Sequence, residues 1–334
     1  MTGHALPGPV LFRARRWGDL AAARLDTAWL GRVWESNAES LLLVDRDGEI
    51  LRLVTAEIGD GPFHVVVEEP MAAHWPALPR GLYAWRVGRE LWLGDDLTVR
   101  LPASPPWQSH LDWRQEATDV EEFALSRHLA LLGDWLLARA PESTLAGLLP
   151  ELLAVGAPLP QEVADRPYLP RQARLFRWRG ARVLGELLPA LETGDLAAAE
   201  MAVNRLAGLG GGMAPAGDWF MLGLVAGIQL WPDFLSEGSG LRADALLHRL
   251  VRSVTERTSL LARAMLTAAL EQNRWDAPWH TLHATLLASG PYPDELRAEI
   301  ERVASAWLAR DEVGASAALA GLVAPFLWYQ RFLL

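Results

Sequence analysis

The stretch LLLVDRDGEILRLV, residues 41–54, decides the first part of the fold. Two apolar-rich runs, Leu41–Asp45 and Glu49–Val54, flank Arg46-Asp47-Gly48. That arrangement predicts a β-hairpin, because glycine supplies the positive φ that a tight connection needs. Working outward, Pro62–Glu68 holds a Val65-Val66-Val67 run, and Leu82–Val87 and Glu90–Leu93 flank Gly88-Arg89. Leu97–Leu101 closes the series, and Gly18–Asp26 reads as one short helix. Short strands at this spacing predict a small β-barrel or sandwich. Eight of the 16 tryptophans lie before residue 114, where they read as core and cross-strand packing.

Pro102–Pro106 marks a change of period. Thr118 and Glu121 suit a capping box, and Phe123, Leu125, Leu129, Leu132 and Leu136 then recur on one helical face. Helical patterns continue at 144–154, 181–191, 196–206, 219–230, 243–255, 260–271, 279–288, 294–310 and 315–332, with Asp195 as an N-cap. The proline-rich run 156–179 reads as irregular. The expectation is an α+β chain: a β-rich domain over residues 1–106, then a mostly α-helical domain over 107–334.

Composition narrows the function. Of 334 residues, 51% are hydrophobic and 22% charged, enough for a substantial core. The net charge of −10 argues against nucleic acid or an anionic membrane surface as main partner. The chain has no cysteine, which excludes disulfides, thiolate metal sites and a cysteine nucleophile. It has no lysine either: all 31 basic side chains are arginine, so a P-loop lysine or Schiff-base lysine is excluded. Residues 1–10 carry no long apolar run behind a basic stretch, so no secretory signal is expected. The apolar run 313–329 contains Pro325 and reads as a buried helix, which makes the cytoplasm the expected location.

Between two helical patterns lies GLGGGMAPAGDWFMLG, residues 208–223. Gly210, Gly211 and Gly212 in succession imply unusual backbone dihedrals or close approach. Pro215 fits the first turn of the next helix. A glycine loop delivering the chain to a helix N-terminus favours an anion there; a ligand-free helix–helix connection has the same pattern.

This segment resembles the signature of the AllH-type family, long catalogued as a domain of unknown function and associated with the third subunit of oxamate carbamoyltransferase. The family pattern is roughly GLGxGLTPSGDDFLxG. Gly208, Leu209, Gly210, Gly212, Pro215, Gly217, Asp218, Phe220 and Gly223 match it. Arg257-Thr258-Ser259 is similar to its Arg-Thr-Thr run, and residues 313–317 to its Gly-x-Ser-Gly run. Gly61-Pro62 and the passage 97–107 are similar too. The family threonine, serine and second aspartate are here Ala214, Ala216 and Trp219, and the serine-glycine step is Ser316-Ala317. The chain therefore looks like a divergent member.

The resemblance implies a carbamoyltransferase-type complex acting on carbamoyl phosphate and oxamate or a related amide, in purine-nitrogen catabolism. Partner subunits are implied, and no cofactor. Asp218 is the candidate catalytic acid, either holding a cation that bridges to phosphate or orienting an amide; alternatively it stabilises the helix start. Gly210, Gly211, Gly212 and Gly217 are candidate substrate contacts through backbone N–H groups, with Trp219, Arg257, Thr258, Ser259 and Ser316 around them. Thr258 and Ser259 equally suit helix N-caps. His280 and His283 share a helical face without an evident third ligand, so no metal site is expected, and His64 and His74 carry no motif. The expected mechanism is electrostatic positioning of a small anion, carbamoyl phosphate or a carboxylate. Two competing readings stay open: an interaction subunit without a ligand site, and an enzyme of other specificity with Trp219 as an apolar wall.

Overall fold

The computed structural model describes residues 10–26, 28–68, 78–113, 122–154, 166–231, 243–288 and 293–330. They form two units: residues 1–110 with 274–277, and residues 111–273 with 278–334. The division falls four residues beyond the expected boundary, and a short return segment of the second half belongs to the first unit.

The first unit is a closed barrel, not a sandwich, with strand order β1-β5-β4-β3-β2-β6-β7-β8. The strands are β1 (Val10–Trp17), β2 (Leu30–Ser36), β3 (Ser40–Asp45), β4 (Ile50–Val54), β5 (His64–Val67), β6 (Tyr83–Val87), β7 (Glu90–Leu93) and β8 (Leu97–Arg100). The β3–β4 hairpin forms as expected, pairing Leu41 with Leu53 and Leu43 with Leu51, and Gly48 takes φ 84° in its turn. Those four leucines, with Phe12, Val33, Val65, Leu91 and Val99, fill the interior at alternate positions. Helix α1 (Asp19–Leu25) adds Ala21 and Leu25 to the same core. Closure comes from β1, which pairs parallel to β8 and antiparallel to β5. Strands β1 and β2 are the two that the hairpin signals do not announce. In β1 Phe12 and Ala14 are buried in the core and, after a register shift, Trp17 packs against it, among three arginines; β2 carries Gly31 and the single core residue Val33. Trp85 and Trp92 are cross-strand partners and stack with centroids 6.2 Å apart.

The second unit is helical: α2 (Glu122–Arg139), α3 (Leu149–Leu153), α4 (Arg171–Thr193), α5 (Leu196–Leu206), α6 (Ala216–Leu230), α7 (Ala243–Val254), α8 (Leu260–Gln272), α9 (Ala277–Leu286), α10 (Pro293–Leu308) and α11 (Glu312–Gln330). Asp195 caps α5, accepting from Ala198 N–H at 3.0 Å. The face read from Leu125, Leu129, Leu132 and Leu136 is buried. Thr118 and Glu121 lie outside the described residues, as do 156–165 and His74. The irregular reading of 156–179 is corrected over 171–179, which is the start of α4. Its cause is Arg177, a charged residue buried to 0% exposure on the packed face of that helix.

Helices α6 and α11 form the centre. Every residue of α6 except Trp219 is buried, and α11 is buried from Gly314 to Phe326. A helix apolar all round belongs in a core or a membrane. α11 is long and apolar enough to cross a membrane, but 78% of that stretch is buried within the protein. The two helices meet backbone to backbone. A Cβ on Gly223 would fall 1.9 Å from Ala318 O, and one on Gly321 would fall 2.0 Å from Phe220 O.

Candidate functional site

The glycine loop begins where α5 ends. Ala207 leaves the helix at ψ 126°, and Gly208 turns at φ 73°. Leu209 N–H closes on Leu206 O at 3.0 Å. Gly210, Gly211 and Gly212 follow at φ 111°, 75° and 88°, in the region that side chains disfavour. Nothing lies within 4 Å of a Cβ at Gly211 or Gly212, so backbone conformation alone calls for glycine there.

The loop swings the Leu209 carbonyl over the start of α6, where it accepts from Gly217 N–H at 2.9 Å. Asp218 N–H and Trp219 N–H turn back onto Pro215 O at 3.0 and 3.1 Å. These three amides of the first turn are therefore engaged within the chain, and the dipole end meets a carbonyl. The amides of Gly210, Gly211 and Gly212 are different: all three residues are exposed, and among the described residues none accepts from them. Gly217 is buried against α5, where a Cβ would fall 1.9 Å from Leu206 O. Its glycine is a packing requirement.

Asp218 is 2% exposed, and its Oδ1 accepts from Gly208 N–H at 3.0 Å. Burial pushes its carboxyl up, while the Thr258 hydroxyl and the backbone N–H groups of Gly208 and Ser259 pull it down. Asp218 Oδ2 and Thr258 Oγ1 face this buried spot without a hydrogen bond of ordinary geometry among the described residues. The carboxylate thus braces the first glycine of the loop against the segment that precedes α8.

Ser259 does two things. Its hydroxyl accepts from Ala262 N–H at 3.1 Å, capping α8, and donates to Met213 O in the glycine loop. Arg257 is exposed, and its guanidinium pairs with no carboxylate among the described residues. Its carbonyl lies 3.7 Å from the position of a Cβ on Gly208.

Trp219 is half-buried. With Ala214, Leu222, Ala262, Met265 and Leu266 it lines an apolar cavity of about 10 Å3 beside Asp218. That space holds about one water at most. Its indole Nε1 lies 2.6 Å from where Gly314 would carry a Cβ, so the start of α11 slides past the ring. Ser316 is fully buried in α11 and its hydroxyl donates to Val313 O at 3.0 Å. The structure therefore gathers the loop, Asp218, Trp219, Arg257, Thr258, Ser259 and Gly314 in one place, and turns Ser316 toward its own helix.

His280 and His283 lie on α9. The His283 ring meets Trp113 edge-on at 4.7 Å, and burial holds it at about 4. Among the described residues no three His, Asp or Glu side chains form a metal-binding group.

Two further clusters escaped the sequence, both in the barrel unit. One is an open pocket lined by Arg13, Arg89 and Arg100. The other surrounds Gly61, where a Cβ would fall 2.4 Å from Asp276 Oδ1 and 2.6 Å from the His64 ring. His64 Nδ1 donates to Gly59 O at 2.9 Å. Burial, then the nearby Arg52 charge, holds His64 at about 3; burial raises Asp276 to about 6. Residues so distant in the chain give no spacing signal.

These shifts set a pH dependence. Between pH 6.5 and 3 the unfolded chain protonates His64 and the folded chain does not, so stability is lost as pH falls through that window. Asp276 acts in the opposite sense between about 4 and 6, where the folded state holds the extra proton. A His64→Gln variant removes the first effect. Between pH 7 and pH 5 its stability, from urea midpoints, falls by about 2 kcal/mol less than that of the parent. Parallel pH profiles for the two chains would contradict this.

No family model, curated protein or solved structure matches this chain.

Proposed function

We propose that this chain is an AllH-type subunit of a carbamoyltransferase-class assembly in the cytoplasm. In this reading the amides of Gly210, Gly211 and Gly212 hold an anionic group of the substrate, and companion subunits supply the reacting groups. The observation that carries it is the convergence of separate stretches of the resemblance: Gly208–Trp219, Arg257–Ser259 and Gly314 meet around the start of α6. The backbone of Arg257 passes beside the loop, its carbonyl 3.7 Å from the position of a Cβ on Gly208, and its exposed guanidinium pairs with no carboxylate among the described residues. Fixed N–H donors act without side chains, so the loss of two hydroxyls and a carboxylate spares them.

A second reading has its own support. The small apolar cavity under Trp219 and Ala214, and the Leu209 carbonyl seated on α6, favour an interaction subunit without room for a ligand.

Calorimetry of the full chain with carbamoyl phosphate, oxamate and inorganic phosphate separates the two. The first reading expects heat with at least one of them and binding about tenfold weaker in Gly211→Ala, where alanine at positive φ costs about 1–2 kcal/mol and turns the amides away. No heat from any of the three, alone or with companion subunits, overturns it. Binding that appears only in Trp219→Asp supports the second.

A further inference from the structure

Strands β1 and β8 are parallel neighbours, and their register sets Arg13 beside Arg100. Adjacent strands lie about 4.8 Å apart, so the two side chains rise next to one another on the same face. Arg89, in the β6–β7 turn, approaches from a third direction and is anchored there by donating to Leu101 O at 3.2 Å. These residues line an open pocket of about 650 Å3 on the barrel. The volume lies in the range of small-molecule sites, about 300–1,000 Å3.

The charge balance is uneven. The lining carries three guanidinium groups, Arg13, Arg89 and Arg100, against one carboxylate, Glu90. Glu90 is committed to Arg100, its cross-strand partner, at 3.2 Å. Among the described residues Arg13 and Arg89 pair with no carboxylate. Like charges placed directly across a ladder repel, so the register holds an unfavourable pair together. This happens in a chain whose net charge is −10. Guanidinium forks converging on a concave surface match the planar oxygens of phosphate and carboxylate.

We propose that this pocket binds a small polyanion, with Arg13 and Arg89 as the primary contacts and Arg100 shared with Glu90. The site is separate from the glycine loop, so either can fail alone.

The test uses calorimetry on the full chain with pyrophosphate and with citrate, at low and high salt. Binding of at least one is expected at low salt, weakening as salt rises. Pyrophosphate alone assigns a phosphate ligand, citrate alone a polycarboxylate, and both a general polyanion site. Arg13→Gln and Arg89→Gln, exposed positions whose loss leaves the core intact, should each weaken binding about tenfold. Gly211→Ala should leave it unchanged. Absence of binding by both probes overturns the proposal, as does binding that survives both arginine substitutions or is lost in Gly211→Ala.

Discussion

Gly223→Ala is expected to destabilise the helical unit by about 3 kcal/mol or more, and Gly223→Val to prevent its folding. The reason is geometric. A single added carbon would sit 1.9 Å from Ala318 O, and that neighbour is backbone, which cannot rotate away. The α6 and α11 axes must separate, and the residues buried along both helices lose contacts together. A control carries the opposite sign. Gly185 is exposed on α4, and a Cβ there meets only Leu152 Cδ2 at 3.8 Å. Gly185→Ala should stabilise by about 0.5–1 kcal/mol through helix propensity. Urea denaturation followed by helical ellipticity measures both. Equal effects of the two alanines would show that α6 and α11 do not meet backbone to backbone.

The second large effect lies at Arg177. Its guanidinium is buried and grips Glu151 with both carboxylate oxygens, at 2.9 and 2.8 Å. It also donates to the carbonyls of Glu142 and Gly147. Arg177→Leu leaves the carboxylate with Arg166 alone and removes the donor from two carbonyls. The expected loss is about 3–5 kcal/mol. Replacing both partners, Arg177→Leu with Glu151→Leu, should restore the part that comes from the uncompensated carboxylate, while the Glu142 and Gly147 carbonyls stay without that donor. A loss below about 1 kcal/mol in the single variant is what a solvated pair would give, and would contradict the burial.

The barrel was readable where local chemistry dictates it. The Arg46-Asp47-Gly48 turn and the Gly88-Arg89 turn each sit between short apolar-rich runs, and both fold as hairpins. Closure was not readable, because β1 pairs with β8 and β5 across long separations, and a register shift between Ala14 and Arg16 breaks the alternation of Phe12, Ala14 and Trp17. The helical half was readable from its period, except at 171–179, where the buried Arg177 breaks the apolar pattern that marks a packed face.

The site divides the same way. Three consecutive glycines announced positive φ, and all three adopt it. That Leu209 O would cap α6 follows from the dihedrals of Gly208 and its neighbours, which no side chain encodes. Thr258 and Ser259 could be placed at a helix start by composition. That Asp218 would lie beside Thr258, and that Ser259 would donate to Met213 O, are tertiary facts. The pairing of Arg13 with Arg100 likewise exists only once the barrel closes.

The amide resonances of Gly210, Gly211 and Gly212 test the central claim most directly. Titrating carbamoyl phosphate into isotopically labelled protein should shift these three amides strongly and saturably. Gly208 and Gly217, whose N–H groups are already donated to Asp218 and to Leu209 O, should move far less. Three loop amides that stay fixed at saturating ligand, with or without companion subunits, would contradict the account.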